Sequence, residues 1–242
     1  MRYALLSDVH GNLEALTAVL DHLAGTGADA LVCLGDVVGY GADPVACVEK
    51  LVERDARFVA GNHEYGVTDR LDLRWFNPYA RAAALWTASR LDDEHRSFLV
   101  ELPLSLVIEG ATLVHASPKN PEAWEYLITA EEGFAAFGAF ETQLCFVGHS
   151  HCAGVWSLGP SGGAFKPGPD EVRLLAGRRY IVNVGSVGQP RDRDPRACYA
   201  VWDRGAGRIT FHRVLYDVAA AREKILKAGL PRYLGDRLAH GR

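Results

Sequence analysis

Three features of the sequence predict an α/β fold. In the first third, short apolar runs alternate with helical patterns. Each of those three runs ends in Asp, Asn or His, and the last third is patterned mostly as β-strand. Strands separated by helices imply a parallel sheet joined by right-handed crossovers. Ligands bind at the strand ends of open α/β sheets, so polar strand termini bear on function as well as on fold.

Taken in order, residues 3–6 are the first apolar run, which stops at Ser7-Asp8-Val9-His10-Gly11-Asn12. Helical spacing resumes at once through Leu13, Leu16, Leu20 and Leu23, with Asn12 as N-cap. Residues 30–34 are the second run, ending at Gly35-Asp36; Asp43 as cap and Pro44 at the first helical position then open a helix to about residue 54. Residues 57–60 are the third run, ending at Gly61-Asn62-His63-Glu64. Residues 65–103 read as a helical insertion, with Asn77-Pro78 starting one helix and Asp92 or Asp93 a second. Its Trp75, Phe76, Tyr79 and Trp86 suit a lid, a homodimer contact, or packing on the insertion's own sheet. Residues 105–108 and 112–115 flank Glu109-Gly110 as a hairpin whose second strand ends at His115. Thr129-Ala130-Glu131-Glu132 is a capping box for a helix to about residue 140, and the run 144–147 ends at Gly148-His149-Ser150-His151. Further β-runs cover 154–158, 173–175, 179–184, 198–203 and 208–213, with Gly/Pro-rich residues 159–169 as a surface loop. A last helix, 218–227, stops at Gly229-Leu230-Pro231, and residues 1–242 read as one domain.

Composition narrows the function classes. The chain's 242 residues suffice for a core without staples, and 48% apolar with 23% charged residues is ordinary for a globular protein. A net charge of −4 argues against a protein built to hold long nucleic acid, though a short nucleotide is not opposed by it. The five cysteines form no CxxC pair, as expected of reduced thiols in a cytoplasmic protein. No signal-peptide pattern precedes the first strand, and no apolar stretch approaches the roughly 20 residues of a membrane span.

The strand ends carry the chemistry. Together they present Asp8, His10, Asp36, Asn62, His63, His115, His149 and His151, including five of the nine histidines. A core histidine needs a partner for each ring nitrogen and usually occurs alone. Five on one edge would gather positive charge as pH falls, and a bound cation accounts for the set better. Imidazole mixed with carboxylate suits Mn, Fe, Zn, Co or Ni more than Ca or Mg. So many donors exceed what one ion takes; two ions sharing a carboxylate, about 3.5–4 Å apart, fit better. Asp36, on the middle of the first three strands, is the natural bridge. Such a pair suits hydrolysis of a phosphate ester.

Asp8-Val9-His10, Gly35-Asp36, Gly61-Asn62-His63-Glu64, His115 and Gly148-His149-Ser150-His151 resemble the five ordered motifs of the calcineurin-like metallophosphoesterase superfamily, from residue 5 to about 190. Residues 35–41, Gly-Asp-Val-Val-Gly-Tyr-Gly, and residues 183–191, Asn-Val-Gly-Ser-Val-Gly-Gln-Pro-Arg, are similar to its small prokaryotic phosphodiesterase branch. The resemblance implies two mixed sheets packed as a sandwich, flanked by helices, with a di-metal site at their shared edge. It implies one ion on Asp8, His10, Asp36 and His151, and the other on Asp36, Asn62, His115 and His149. It places His63 off the metals, as an imidazole titrating near neutrality that protonates the leaving oxygen or steadies phosphoryl charge, while a metal-bridging hydroxide attacks. Glu64 departs from the Asp many relatives carry, with an effect expected only on the orientation of His63.

Three further groups have two readings each. Gly185-Ser186-Val187-Gly188 is a tight turn or a set of N–H groups cupping an anionic oxygen, with Arg191 as a second contact. Asn12 borders the pocket or only caps its helix, and Trp124-Glu125-Tyr126 stacks on a nucleobase or packs in the core. The expectation is a di-metal phosphodiesterase for a small phosphorylated or nucleotide substrate. The alternatives are a metal-binding scaffold on the same fold and, behind it, a nuclease.

Overall fold

The computed structural model describes residues 1–242. In chain order the elements are β1 (Arg2–Leu6), α1 (Leu13–Leu23), β2 (Ala30–Cys33), α2 (Pro44–Val52), β3 (Arg57–Phe58), α3 (Asn62–Val67), α4 (Pro78–Ala88) and α5 (Asp93–Glu101). There follow β4 (Ser105–Ile108), β5 (Ala111–Val114), α6 (Ala130–Ala136), β6 (Leu144–Val147), β7 (Gly154–Gly159), β8 (Gly162–Pro167), β9 (Glu171–Arg173) and β10 (Arg179–Asn183). The chain closes with β11 (Ala197–Asp203), β12 (Arg208–Val214), α7 (Val218–Lys227) and α8 (Arg232–Asp236). The strands form two mixed six-stranded sheets, β3-β2-β1-β11-β12-β9 and β4-β5-β6-β10-β7-β8.

Side-chain alternation along β1 explains the layering. Tyr3 and Leu5 point into the space between the sheets, where they meet Leu113, Phe146, Val182 and Trp202. Ala4 and Leu6 point the other way, onto Leu16, Val19 and Leu20 of α1 and Cys47 and Leu51 of α2. A strand buried on both faces must be a continuous apolar run, which is why these strands are legible in the sequence. The outer face of the second sheet is closed by α6 and the turn behind it, with Phe137 and Phe140 against Val147, Trp156 and Ile181. Parallel pairing of β1, β2 and β3 in one sheet and of β5, β6 and β10 in the other brings six strand termini to one edge.

Several expectations need correction. Residues 159–169 are not a loop: Gly162–Pro167 is β8, paired along its length with β7. As an edge strand it pairs on one side only and is mostly exposed, so glycine and proline are tolerated and the apolar signature is missing. Phe165 supplies its anchor by stacking on Trp156 at 4.6 Å. Asp43 precedes α2 but does not cap it with its side chain; its carboxylate accepts instead from Lys224 Nζ of α7 at 2.9 Å. The capping box at Thr129 forms, but α6 ends at Ala136 and continues as one 3₁₀ turn, Phe137–Ala139. Strand β3 keeps only two residues, because Ala60 N leaves the ladder to donate to Pro103 O. Beyond Pro231 the chain forms α8 and a 3₁₀ turn, Arg237–His240, where no element was expected. There Leu234 and Leu238 pack with Ile225 of α7, Ala80 and Ala83 of α4, and Tyr40, tying the helical insertion to the chain's far end. All five cysteines are free thiols, and no helix is long and apolar enough to cross a membrane.

Candidate metal centre

At the shared edge, the turn after each strand bends its donors back toward the others. Asp8, His10, Asp36, His149 and His151 all adopt left-handed backbone, with φ of 54°, 51°, 54°, 64° and 58°. Such conformations are uncommon outside glycine and persist where the surroundings enforce them. Here the loops hold one another: Asp8 N donates to Gly35 O at 3.0 Å, His10 N to Asp36 O at 2.9 Å, and His149 N to Asp8 Oδ2 at 3.0 Å. Gly61 is required for close approach, since a Cβ there would overlap the Asp36 carboxylate.

Four histidines are oriented by one device. His10 Nδ1 lies 3.0 Å from Val38 O, His115 Nδ1 2.7 Å from Leu34 O, His151 Nδ1 2.6 Å from Gln189 O, and His149 Nε2 2.9 Å from Trp124 O. A carbonyl only accepts, so each of these nitrogens carries the proton and the other presents a lone pair inward. The inward nitrogens then face each other: His10 Nε2 and His151 Nε2 at 3.1 Å, His115 Nε2 and His149 Nδ1 at 3.1 Å. Two lone pairs at that distance repel, so each gap calls for a cation, either a proton or a metal ion.

The carboxylates lie where those cations belong. Asp8 Oδ1 is 3.2 Å from His151 Nε2 and 3.7 Å from His10 Nε2. Asp36 Oδ2 is 3.2 Å from His115 Nε2 and 3.7 Å from His10 Nε2, between the two groups, while its Oδ1 accepts from His63 N at 2.9 Å. Three overlapping groups result, Asp8–His10–His151, Asp36–His115–His149 and, joining them, His10–Asp36–His63, each compact enough for one ion; the first two have the facing nitrogens. Asp8 Oδ1 and Asn62 Oδ1 are buried without a hydrogen-bond partner, orphans of the kind a metal ion satisfies. The predicted donors are therefore assembled, and their chemistry fits two divalent ions.

Charge distribution agrees with this. Burial opposes ionisation of Asp8 and Asp36, yet His151 and His115 beside Asp8, and His115 and His63 beside Asp36, hold both carboxyls well below their usual range. Burial holds His10, His149 and His151 down, with His149 at about 3. His115 goes up, to about 9, because the Asp36 and Asp8 charges outweigh its burial. Without metal, a proton can therefore occupy the His115–His149 gap at neutral pH, but the His10–His151 gap is left without one.

His63 stands next to the clusters, packed between His10 at 4.8 Å, Tyr40 at 4.5 Å and Phe76 at 5.0 Å. Its Nδ1 has no partner and faces Gly39, whose φ of +86° and missing Cβ make room for the ring. Burial pushes His63 down to about 4, not near neutrality as expected, so the imidazole is neutral at physiological pH. A neutral ring can donate an N–H to a phosphoryl oxygen without first gaining a proton.

Glu64 does more than orient His63. Its carboxylate accepts from Asp36 N at 2.7 Å and Gly61 N at 2.7 Å through Oε2, and from Val37 N at 2.8 Å and Val38 N at 3.3 Å through Oε1. It clamps the turn that presents Asp36 against the start of α3. The Gly61-x-x-Glu64 spacing, an N-cap followed by an acid at the third helical position, was the available signal.

The expected phosphate contacts divide. Ser186 Oγ donates to Asp8 O and accepts from Gln189 N; Gly185 N donates to Asn183 Oδ1; Val187 N and Gly188 N donate to Ser7 O and Asp8 O. This turn supports Asp8 from behind and has little left to offer an anion. Asn12 likewise caps α1 through Ala15 N and holds Gly188 O at 2.8 Å. Arg191 differs: its Nη2 reaches only Gln189 Oε1 at 3.0 Å and Tyr40 Oη at 3.4 Å, and its buried Nε has no partner. Tyr40, which packs on both His10 and His63, was not singled out from the sequence.

Comparison with known proteins agrees with this geometry. Residues 1–206 match the profile of the calcineurin-like phosphoesterase superfamily domain. An uncharacterised protein of Methanocaldococcus jannaschii is 42% identical over 245 residues, covering 99% of this chain and 98% of that one. The crystal structure of a metallophosphoesterase from Sphaerobacter thermophilus is 42% identical, with a TM-score of 0.86 over 100% of this chain and 99% of that one. A hypothetical protein of Pyrococcus horikoshii OT3, 23% identical, shares the fold with a TM-score of 0.80 over 100% of this chain and 98% of that one.

Proposed function

The chain belongs to the calcineurin-like phosphoesterase superfamily, a family of metal-dependent hydrolases, and on that premise we propose that it is a di-metal phosphodiesterase acting on a small phosphorylated substrate. The observation that carries the reading is the pair of facing-nitrogen gaps with Asp36 Oδ2 between them. Asp8, His10, Asp36 and His151 would hold one ion, and Asp36, Asn62, His115 and His149 the other, with Mn, Fe, Zn, Co or Ni suited to the donors. When bound, two such ions supply Lewis-acid charge for phosphoryl oxygens and lower the pKa of water toward neutrality.

The chain's own residues do the rest. Asp36 would serve both ions, its Oδ2 lying between the two groups of nitrogens, and Glu64 holds the turn that presents it. His63 donates an N–H to the phosphoryl or leaving oxygen, and the Arg191 guanidinium binds a second phosphoryl oxygen. A diester carries one negative charge and two organic groups. The apolar wall formed by Phe76 and Trp124 beside the clusters gives space for an organic group, and a diester has a second one to place where a monoester has none.

The test is hydrolysis of bis-p-nitrophenyl phosphate and p-nitrophenyl phosphate by protein stripped of metal and reloaded with Mn, Ni, Co, Zn or Mg in turn. Faster cleavage of the diester with Mn or Ni supports the reading. No cleavage with any metal, from protein shown to hold two ions, would turn the assignment toward a metal-binding scaffold.

A further inference from the structure

Beside the ligand clusters lies a cavity of about 400 Å³ that shares its floor with them, since Asn62, His63 and His149 line both. Its walls are aromatic and come from two separate parts of the chain. Trp75 and Phe76 belong to the segment between α3 and α4, Trp124 and Tyr126 to the segment between β5 and α6. Tyr126 lies flat on His149, with centroids 4.1 Å apart and 17° between planes, so its position is set by a candidate metal ligand. Phe76 is in turn set by His63. Trp75 is 83% exposed and Tyr126 46%, so two large aromatic faces are held in water at the mouth of a reactive site. Large apolar surface kept exposed beside a site marks a place where a ligand is covered.

The rim adds hydrogen-bonding groups of both kinds. Asn77 Oδ1 is already used in capping α4, accepting from Tyr79 N and Ala80 N, which leaves its amide NH₂ as a donor. Glu122 contributes a carboxylate acceptor. The cavity and the ligand clusters meet at His63, so a phosphate ester placed at the clusters could carry its organic group into this space. Its volume suits a single nucleoside-sized group.

We propose that the cavity binds a nucleobase, so that the substrate class is a nucleotide ester with its base stacked against Trp75 and Tyr126. This rests on the phosphoesterase reading above and specifies its substrate. An aliphatic group would fill the same space but would gain less from the exposed Trp75 and Tyr126 rings and nothing from the Asn77 and Glu122 edge groups. A base gains on both counts, and stacking on protein aromatics is tolerant of base identity.

The experiment is a calorimetric titration of the Mn²⁺-loaded protein with hydrolysis-resistant diester mimics, the monomethyl esters of the methylene phosphonate analogues of AMP and of methyl ribofuranoside 5-phosphate, which differ by a base against a methoxy group at C1. The AMP analogue is expected to bind at least about 10-fold more tightly, within the range of one stacked base. In Trp75→Ala that preference collapses, and in Trp75→Phe most of it returns; Trp75 is too exposed for its truncation to endanger folding. Equal binding of the two analogues would overturn the proposal. If, in that case, the protein were also a dimer that Trp75→Ala dissociates, the aromatic patch would belong to a second copy of the chain. Because the titration needs no turnover, it separates the two readings. Absence of hydrolysis of the p-nitrophenyl esters counts against the enzyme, whereas absence of a base preference counts against the cavity's assignment alone.

Discussion

Replacing Glu64 by Gln tests whether the Asp36 turn is held in place from outside. The change is nearly isosteric, so packing is preserved and only acceptors are altered. In the native protein Oε2 takes the N–H groups of Asp36 and Gly61, and Oε1 those of Val37 and Val38. A glutamine has one carbonyl oxygen, so one of those pairs must face an NH₂ group. Two buried donors left without an acceptor cost about 1–3 kcal/mol each. Part of this is offset, because burial and the Asp36 charge disfavour the Glu64 carboxylate and push its carboxyl up to about 7. A net loss of about 2–3 kcal/mol follows, which in a chain of this size lowers Tm by about 4–12 °C. The turn released is the one that carries Asp36, so metal affinity should fall with stability, by about 10–100-fold for a lost supporting contact. Thermal unfolding of the metal-free protein, with metal content by mass spectrometry after equilibration at fixed free Mn²⁺, reads both effects. Glu64→Asp keeps the charge with a shorter reach and should fall between wild type and Glu64→Gln. A Glu64→Gln protein with unchanged Tm and two ions bound at wild-type affinity would refute the clamp.

Three other outcomes follow from the site. Asp36→Asn should lose activity and both ions together, since Asp36 Oδ2 lies between the two clusters; full activity would contradict a shared ligand. His63→Asn should keep both ions but lower kcat by about 10²–10³-fold, the loss typical of one donor to developing oxyanion charge. Because burial holds His63 at about 4, the ring is already neutral from pH 6 to 8. Any limb of the wild-type kcat/KM profile near neutrality should therefore belong to metal-bound water and persist in His63→Asn, whereas a limb near 6.5 that vanishes in His63→Asn would restore the proton-donor role. In the metal-free protein His115 titrates at about 9, above its ordinary 6.5. The stability it contributes is complete below pH 6.5 and is lost as pH rises through 9, about 3 kcal/mol in all. Metal and proton compete for the same nitrogen, so loading at pH 7.5 should release about one proton from this ring. Calorimetry in two buffers of different ionisation enthalpy measures it, and a buffer-independent heat would show the ring already neutral.

What the sequence revealed and what it hid have separate physical causes. The central strands were legible because burial on both faces demands unbroken apolar runs, as in β1 with Tyr3 and Leu5 facing one core and Ala4 and Leu6 the other. The metal donors were legible because ligation restricts residue type, and Asp, Asn and His recur at the end of one run after another. β8 was hidden because an exposed edge strand needs neither burial nor a full set of N–H donors. The left-handed turns at Asp8, His10, Asp36, His149 and His151 were hidden for another reason: nothing in the local sequence demands them, and contacts between loops distant in the chain enforce them. The same holds for the 185–188 turn, whose donors go to Ser7, Asp8 and Asn183 instead of outward. A residue's identity states which chemistry it can perform, but the use made of its hydrogen bonds is decided by what the fold brings opposite. That distinction separates Arg191, whose buried Nε still lacks a partner, from Ser186 and Asn12, whose polar atoms are already engaged. Of the four residues read as phosphate contacts, only Arg191 has a buried donor atom with no partner at all.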